Sequence, residues 1–492
     1  MKRVLDGLEP KEVFYWFEEI SRIPHGSFHE KELSDYLKRF AEERRFSVKQ
    51  DEVWNLAIEI PASPGYESRP KIILQAHMDM VCKKDEDYAF DFEKDPLSLY
   101  VDGDWIRAEH TTLGADNGTG VAMIMAVMDS KTVKHPPLQV LFTTSEEVAC
   151  TGAGKMDDSW PDGERIINLD VFRDDALMVS CAGISINEIG WPAERGSVSD
   201  PEHMQAFRVG ISGLKGGHSG ESIHEGRANA LVVLGELLAE LEDTEAFACL
   251  SASGDGLFNV ICTQAEAVIG FPANAAEKGR DRLAGIGRRL REAYLRTDPE
   301  MEIEAEPVRM EDYPTQLSPE AKRRLIRLLY LAPTGMQTIF DDPCTQAGSS
   351  SNLGSLKEEN GKFRLVMSIR SNTEFRHDDV LRKYRLLCEE LGVSLVTNRR
   401  IGSWEYTPVS PLRETAARIY EEQNGEKPQV IIIHAGVEVA TILGKLEKRG
   451  RSADAIAFGC NTPGAHSPKE AWQISTTAKT YRWLTTILEE AE

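Results

Sequence analysis

Apolar residues recur three and four apart over residues 11–22 (KEVFYWFEEISR), a spacing that predicts a helix stopped by Pro24 and Gly26. The same period from Glu30 to about Phe46 predicts a second helix. The pattern then shortens to nearly continuous runs: LAIEI at 56–60, KIILQAH at 71–77, LQVLFTT at 138–144 and RIINLDV at 165–171. Runs this rich in Val, Ile and Leu predict strands buried on both faces. Between two of them, GTGVAMIMAVMD at 118–129 predicts an apolar helix. Strands alternating with helices predict an α/β domain, its sheet covered by helices on both sides.

Past about residue 185 the texture changes. EHMQAFRVGISGL, FACLSASG, FNVICTQAEAVIGF, MEIEAEPV, FRLVMSIRS and VSLVTN predict strands. Helices are predicted in RANALVVLGELLAELE and at about 275–297, 318–332 and 378–392. This is an α+β pattern, and it reads as two similar halves. From about residue 400 the first texture returns, with helices at 411–424, 436–447 and 470–490 around strands QVIIIH and DAIAFG. The expected organisation is an α/β domain over 1–186 and 400–492, interrupted by an inserted α+β domain over 187–399. A chain of 492 residues exceeds what one core usually serves, which fits two domains.

Composition narrows the functions. Hydrophobic residues make up 41% and charged residues 28%, the balance of a water-soluble globular protein. No apolar run approaches the roughly 20 residues of a membrane span, and MKRVLDGLEPKEVFYWF lacks the apolar stretch of a secretory leader. A cytoplasmic location without membrane partners is expected. Eighty acidic residues against 57 basic ones give a formal charge of −23, which argues against nucleic acid as a partner. The eight cysteines (Cys82, Cys150, Cys181, Cys249, Cys262, Cys344, Cys388 and Cys460) form no CxxC pair. Any metal site must therefore use His, Asp and Glu.

Five stretches carry such residues, each at or just past an apolar run. His77 and Asp79 in HMDMV lie two apart on an extended chain and so point to one side, where Asp79 can take the second imidazole N–H of a ligating His77. Asp116 stands in TLGADNGTG, immediately before the apolar helix. Glu146 and Glu147 follow the run at 138–144; one can ligate while the other serves as general base. Asp170 ends RIINLD, and His466 follows DAIAFG in PGAHSP. Singly, each has a plainer use: a satisfied histidine, a helix cap, a pair of solvated glutamates. Together they fall where an open α/β sheet gathers a site. Two His and three carboxylates suit two divalent ions sharing one bridging carboxylate, with zinc, manganese or cobalt compatible.

HMDMV, TLGADNGTG, SEEVACTGA, NLD and the late AHSP resemble the co-catalytic zinc peptidases that include carboxypeptidase G2, aminoacylases and cytosolic dipeptidases. GLKGGHSGESIHEGRANA makes the chain similar to the longer, aminoacyl-histidine dipeptidase (Xaa-His dipeptidase) group of that family. The resemblance implies a zinc-peptidase-like catalytic domain with a mixed sheet, split by a lid, and a homodimer. It implies that Asp116 bridges two zinc ions, with His77 and Asp170 on one and Glu147 and His466 on the other. Glu146 would be the general base and Asp79 the partner of His77. His218 would stabilise the carbonyl oxygen of a small peptide substrate, while Asn259 and Arg370 would bind its carboxylate. His434, in HAGVE, matches a further family stretch, with Gly436 allowing close packing. The implied activity is metal-dependent dipeptide hydrolysis. The alternatives are hydrolysis of N-acyl amino acids on the same scaffold, or a metal-binding protein without turnover.

Overall fold

Buried, branched strands at the centre of the chain set the architecture. The structure is a computed structural model and describes residues 3–340 and 346–491; Cys344 lies outside the described residues. It divides into two compact units, one of Met1–Cys181, Tyr406–Ile432 and Gly436–Glu492, the other of Ala182–Glu405 and Ile433–Ala435.

In the first unit eight strands form a mixed sheet, in the order 47–50, 56–60, 138–143, 72–77, 165–168, 454–457, 176–181, 429–433. The central four run parallel: Ile72–His77 pairs with Leu138–Thr143 and with Arg165–Asn168, which pairs in turn with Asp454–Ala457. Every residue of Ile72–His77 and of Leu138–Thr143 is buried, as their apolar content requires. The helix Ala115–Asp129 is buried from Ala115 to Met128. It therefore needs cover all round, which the sheet and the helix Lys11–Ile20 provide. Trp472 seals one edge of this core against Phe14 and Phe17, at centroid distances of 4.8 and 4.7 Å.

Several element limits differ from the sequence pattern, each for a local reason. The helix expected from Gly118 is entered at Ala115, but Asp116 and Asn117 have non-helical φ/ψ inside it. The helix expected over 470–490 starts at Ile474, because Trp472–Gln473 is drawn into a small sheet with Trp105–Ala108. FNVICTQAEAVIGF is strand only from Gln264 to Pro272. The backbone before it is used otherwise: Asn259 O accepts Ser219 N at 2.8 Å, and Val260 forms an isolated bridge with His218.

The second unit is an antiparallel sheet with helices Ala230–Glu242, Ala276–Tyr294, Pro319–Leu331 and Glu374–Leu391 sharing one core against it. Its strand order, 302–308, 204–212, 264–272, 248–255, 346–359, 362–371, 183–192, 394–401, contains one arrangement twice. Each half is βαββαβ, with its fourth strand beside its first, then third, then second. In the second half the first strand, Gly183–Pro192, comes before the whole first half in sequence.

Candidate metal centre

Parallel strands all end on one side of the sheet, and the candidate residues follow from that. His77 closes the strand Ile72–His77; Glu146 and Glu147 come three and four residues after Thr143; Asp170 comes two after Asn168. In register, His77 stands beside Thr143 and Gln75 beside Asn168, so the three chain ends emerge level. The fourth parallel strand, Asp454–Ala457, leads into the segment that carries His466.

Two groups of potential ligands result, His77–Asp116–Asp170 and Asp116–Glu147–His466, with ligand atoms within 4.8 Å of one another in each. Asp116 belongs to both. His77 Nε2 lies 2.9 Å from Asp116 Oδ1 and 3.8 Å from Asp170 Oδ1. His466 Nε2 lies 2.9 Å from Asp116 Oδ2 and 2.9 Å from Glu147 Oε2. The two Asp116 oxygens thus face different histidines.

Electrostatics fits a divalent cation at each group. No lysine or arginine pairs with Asp116, Glu147 or Asp170 among the described residues. Burial, aided by the charges of Asp116 and Glu147, pushes Asp170 up to about 8. Burial likewise holds Glu146 well above its ordinary value, with Asp170, Glu438 and Glu147 adding to it. Burial alone would raise Asp116 too, but hydrogen bonds from His466 and His77 hold it below its ordinary value. His466, bonded to Asp116 and Glu147, is raised to about 10. Glu147 Oε1 is buried with no hydrogen-bond partner. A cation between these groups would offset the mutual repulsion of carboxylates this crowded. Oxygen and imidazole donors of this kind suit zinc, manganese or cobalt.

Around the ligands stands a ring of acceptors. Asp79 faces His77 Nδ1 with its backbone oxygen at 3.0 Å and its carboxylate at 3.4 Å. The same carboxylate accepts Glu146 N at 2.9 Å, Glu147 N at 3.2 Å and Ser27 Oγ at 2.8 Å. Asp79 therefore fixes the Glu146–Glu147 turn as well as the imidazole. Glu146 lies in neither ligand group and accepts Cys150 Sγ at 3.4 Å.

Three further carboxylates were not singled out by sequence reasoning. Glu30 accepts Ser145 N and Oγ at 2.7 and 2.8 Å. Glu438 accepts Gln75 Nε2 and Thr143 Oγ1, both at 2.5 Å; Gln75 in turn accepts Asn168 Nδ2 at 2.5 Å. That chain ties together the three parallel strands one layer beneath the ligands. Glu470 accepts the backbone N–H groups of Leu113, Gly114, Ala115 and Asp116. Signals were slight: Glu438 sits in the HAGVE stretch, and Glu470 follows His466 by four residues.

In the second unit His218, Asn259 and Arg370 come together. Arg370 reaches His218 Nε2 at 3.3 Å and Ser219 Oγ at 3.3 Å. Asn259 lends its backbone oxygen to Ser219, while its side-chain Oδ1 is buried without a partner. Burial lowers the Arg370 guanidinium to about 10, and burial with the Arg370 charge lowers His218. His434 is held between Ser350 Oγ at 2.8 Å and Asn372 Oδ1 at 3.1 Å.

Comparison with known proteins shows the family of this chain. The cytosol non-specific dipeptidase of Escherichia coli (strain K12) is 30% identical over 486 residues, covering 99% of each chain. The crystal structure of aminoacylhistidine dipeptidase from Vibrio alginolyticus is also 30% identical, with a TM-score of 0.90 over 99% of this chain and 98% of that one. Aminopeptidase PepT from Bacillus cereus, at 14% identity and a TM-score of 0.55 over 98% and 99% of the two chains, shares the fold. The family model of peptidase family M20/M25/M40 matches residues 73–490. The chain belongs to peptidase family M20/M25/M40 and is a hydrolytic metallopeptidase.

Proposed function

We propose that this enzyme hydrolyses dipeptides with two divalent cations, zinc foremost, and that Asp116 is the ligand they share. The observation that carries the proposal is the pair of ligand groups meeting at Asp116, with Glu146 beside but outside them. Full-length likeness to a cytosol non-specific dipeptidase and an aminoacylhistidine dipeptidase supports the substrate class. The first name also supports a cytoplasmic setting; among the described residues no helix is long and apolar enough to cross a membrane.

His77 and Asp170 would hold one cation, Glu147 and His466 the other. When bound, such cations act as Lewis acids, polarising a carbonyl and lowering the pKa of water from 15.7 toward about 7. Glu146 then takes a proton from the attacking water and returns it to the leaving amine. Its environment favours that role, since burial raises its proton affinity and Asp79 fixes its backbone. Asp79 also keeps the His77 ring in the orientation that turns Nε2 toward Asp116. His218 would meet the carbonyl oxygen as it gains charge, and Arg370 with Asn259 would receive the substrate carboxylate. A homodimer is part of this proposal.

Hydrolysis of Ala-Ala, Gly-His, β-Ala-His and N-acetyl-Met, with and without a chelator and added zinc or manganese, tests it. Chelator-sensitive cleavage of the free dipeptides is expected. Cleavage of N-acetyl-Met alone would overturn the dipeptidase assignment while keeping the metal centre.

A further inference from the structure

Glu470 is 2% exposed and stands outside both ligand groups. Its Oε2 accepts Leu113 N at 2.8 Å and Gly114 N at 3.1 Å; its Oε1 accepts Ala115 N at 2.8 Å and Asp116 N at 3.2 Å. Four consecutive amides thus converge on one carboxylate more than 350 residues away in sequence. Gly114 makes this possible: its φ of +68° turns the chain so that successive N–H groups face one way, and a Cβ there would meet Met80 Sδ at 3.0 Å. The same amides open the helix Ala115–Asp129, whose positive end favours an anion.

The loop has reason to need an outside anchor. Asp116 and Asn117 are non-helical, so the helix ladder does not hold them in place. Glu470, by contrast, is fixed on both sides. Its N–H bonds Ser467 O at 3.0 Å, Ala471 N bonds Pro463 O at 3.0 Å, and fully buried Trp472 pairs with Ile106.

We infer that Glu470 is a positioning residue that aims the Asp116 carboxylate between the two ligand groups. One short segment, Pro463–Trp472, then does two things: it offers His466 as a ligand and sets the ligand that both groups share. This rests on the reading of Asp116 as a shared metal ligand. A carboxylate serving only to close a loop would affect folding alone. A carboxylate that aims Asp116 governs the affinity of both cations together.

Zinc titration against a chromophoric chelator separates these roles, using the full-length wild type, Glu470→Gln, Glu470→Asp and Glu18→Gln. The wild type is expected to take up two equivalents. Glu470→Gln puts an amide NH2 against two backbone donors, so both equivalents weaken about 10- to 100-fold with unchanged circular dichroism. Glu470→Asp keeps the charge but retracts it by one methylene, and falls between. Glu18 accepts Val4 N and Leu5 N at 3.1 and 3.0 Å away from the centre; its Gln variant lowers the melting temperature but binds zinc as the wild type does. Should Glu470→Gln not fold, Glu470→Asp decides. Wild-type affinity at both equivalents in a folded Glu470 variant overturns the inference alone. A wild type that takes up fewer than two equivalents overturns the shared-ligand reading, and the inference with it.

Discussion

Replacing Glu146 with glutamine removes a proton acceptor and changes little else. The backbone N–H of residue 146 still meets Asp79 Oδ1, at 2.9 Å in the native chain, so the turn carrying Glu147 is preserved. Glu146 belongs to neither ligand group, so metal uptake should survive. Burial already favours the neutral carboxyl over the charged one, and glutamine matches that neutral form in shape and charge. The metal-free fold should therefore lose little stability. What is lost is proton transfer, worth about 10²- to 10⁴-fold, or about 2.7 to 5.5 kcal/mol of barrier. Steady-state hydrolysis of a cleaved dipeptide, with metal content measured on the same preparation, gives both quantities. The expected result is kcat down by at least about 100-fold, KM nearly unchanged and metal content equal to wild type. A variant that keeps kcat within tenfold, or one that loses metal, would refute Glu146 as the base.

Other consequences follow from the surroundings. Burial pushes Glu438 up to about 7 from an ordinary 4.5, so the metal-free fold loses stability as pH rises from about 4.5 to about 7 and none further above that. Glu438→Gln should raise the melting temperature of metal-free protein at pH 8 but not at pH 4, by an upper bound of about 3 to 4 kcal/mol; equal effects at both pH values would count against it. His434 is pushed down to about 3, by burial first and then the Arg370 charge. Its contribution is present above pH 6.5 and is lost as pH falls toward 3, so His434→Gln should flatten the acid limb of a stability–pH curve. Arg370→Met should raise KM for a dipeptide by 10-fold or more, about 1.5–3 kcal/mol for a charged hydrogen bond, with a smaller fall in kcat. A variant in which kcat falls and KM does not would remove Arg370 from substrate binding.

The elements that carry the candidate ligands are legible because each strand there is buried on both faces, and burial writes itself as runs of Val, Ile and Leu. LQVLFTT and RIINLDV announce their strands, and the polar residues that end them stand out by contrast. Gln346–Glu359 is harder to see: QAGSSSNLGSLKEE is buried over most of its first half through serines and Asn352, not through large apolar side chains. The repeat in the second unit is blurred because the first strand of its second half, Gly183–Pro192, is displaced to the front. The bracing carboxylates are nearly silent. Glu30, Glu438 and Glu470 bind backbone or side chains brought together only by folding, and no spacing rule links position 470 to position 113. Asp116 lies between these cases, since a residue before an apolar helix reads as a cap. Its backbone departs from that role, and its two oxygens face two histidines.

The most direct test is anomalous diffraction from crystals of the full-length protein grown with zinc. Two peaks roughly 3.5–4 Å apart are expected, one against His77 and Asp170, the other against Glu147 and His466, with one oxygen of Asp116 on each. A single peak, or two peaks that do not share Asp116, would contradict the dinuclear centre proposed for this enzyme.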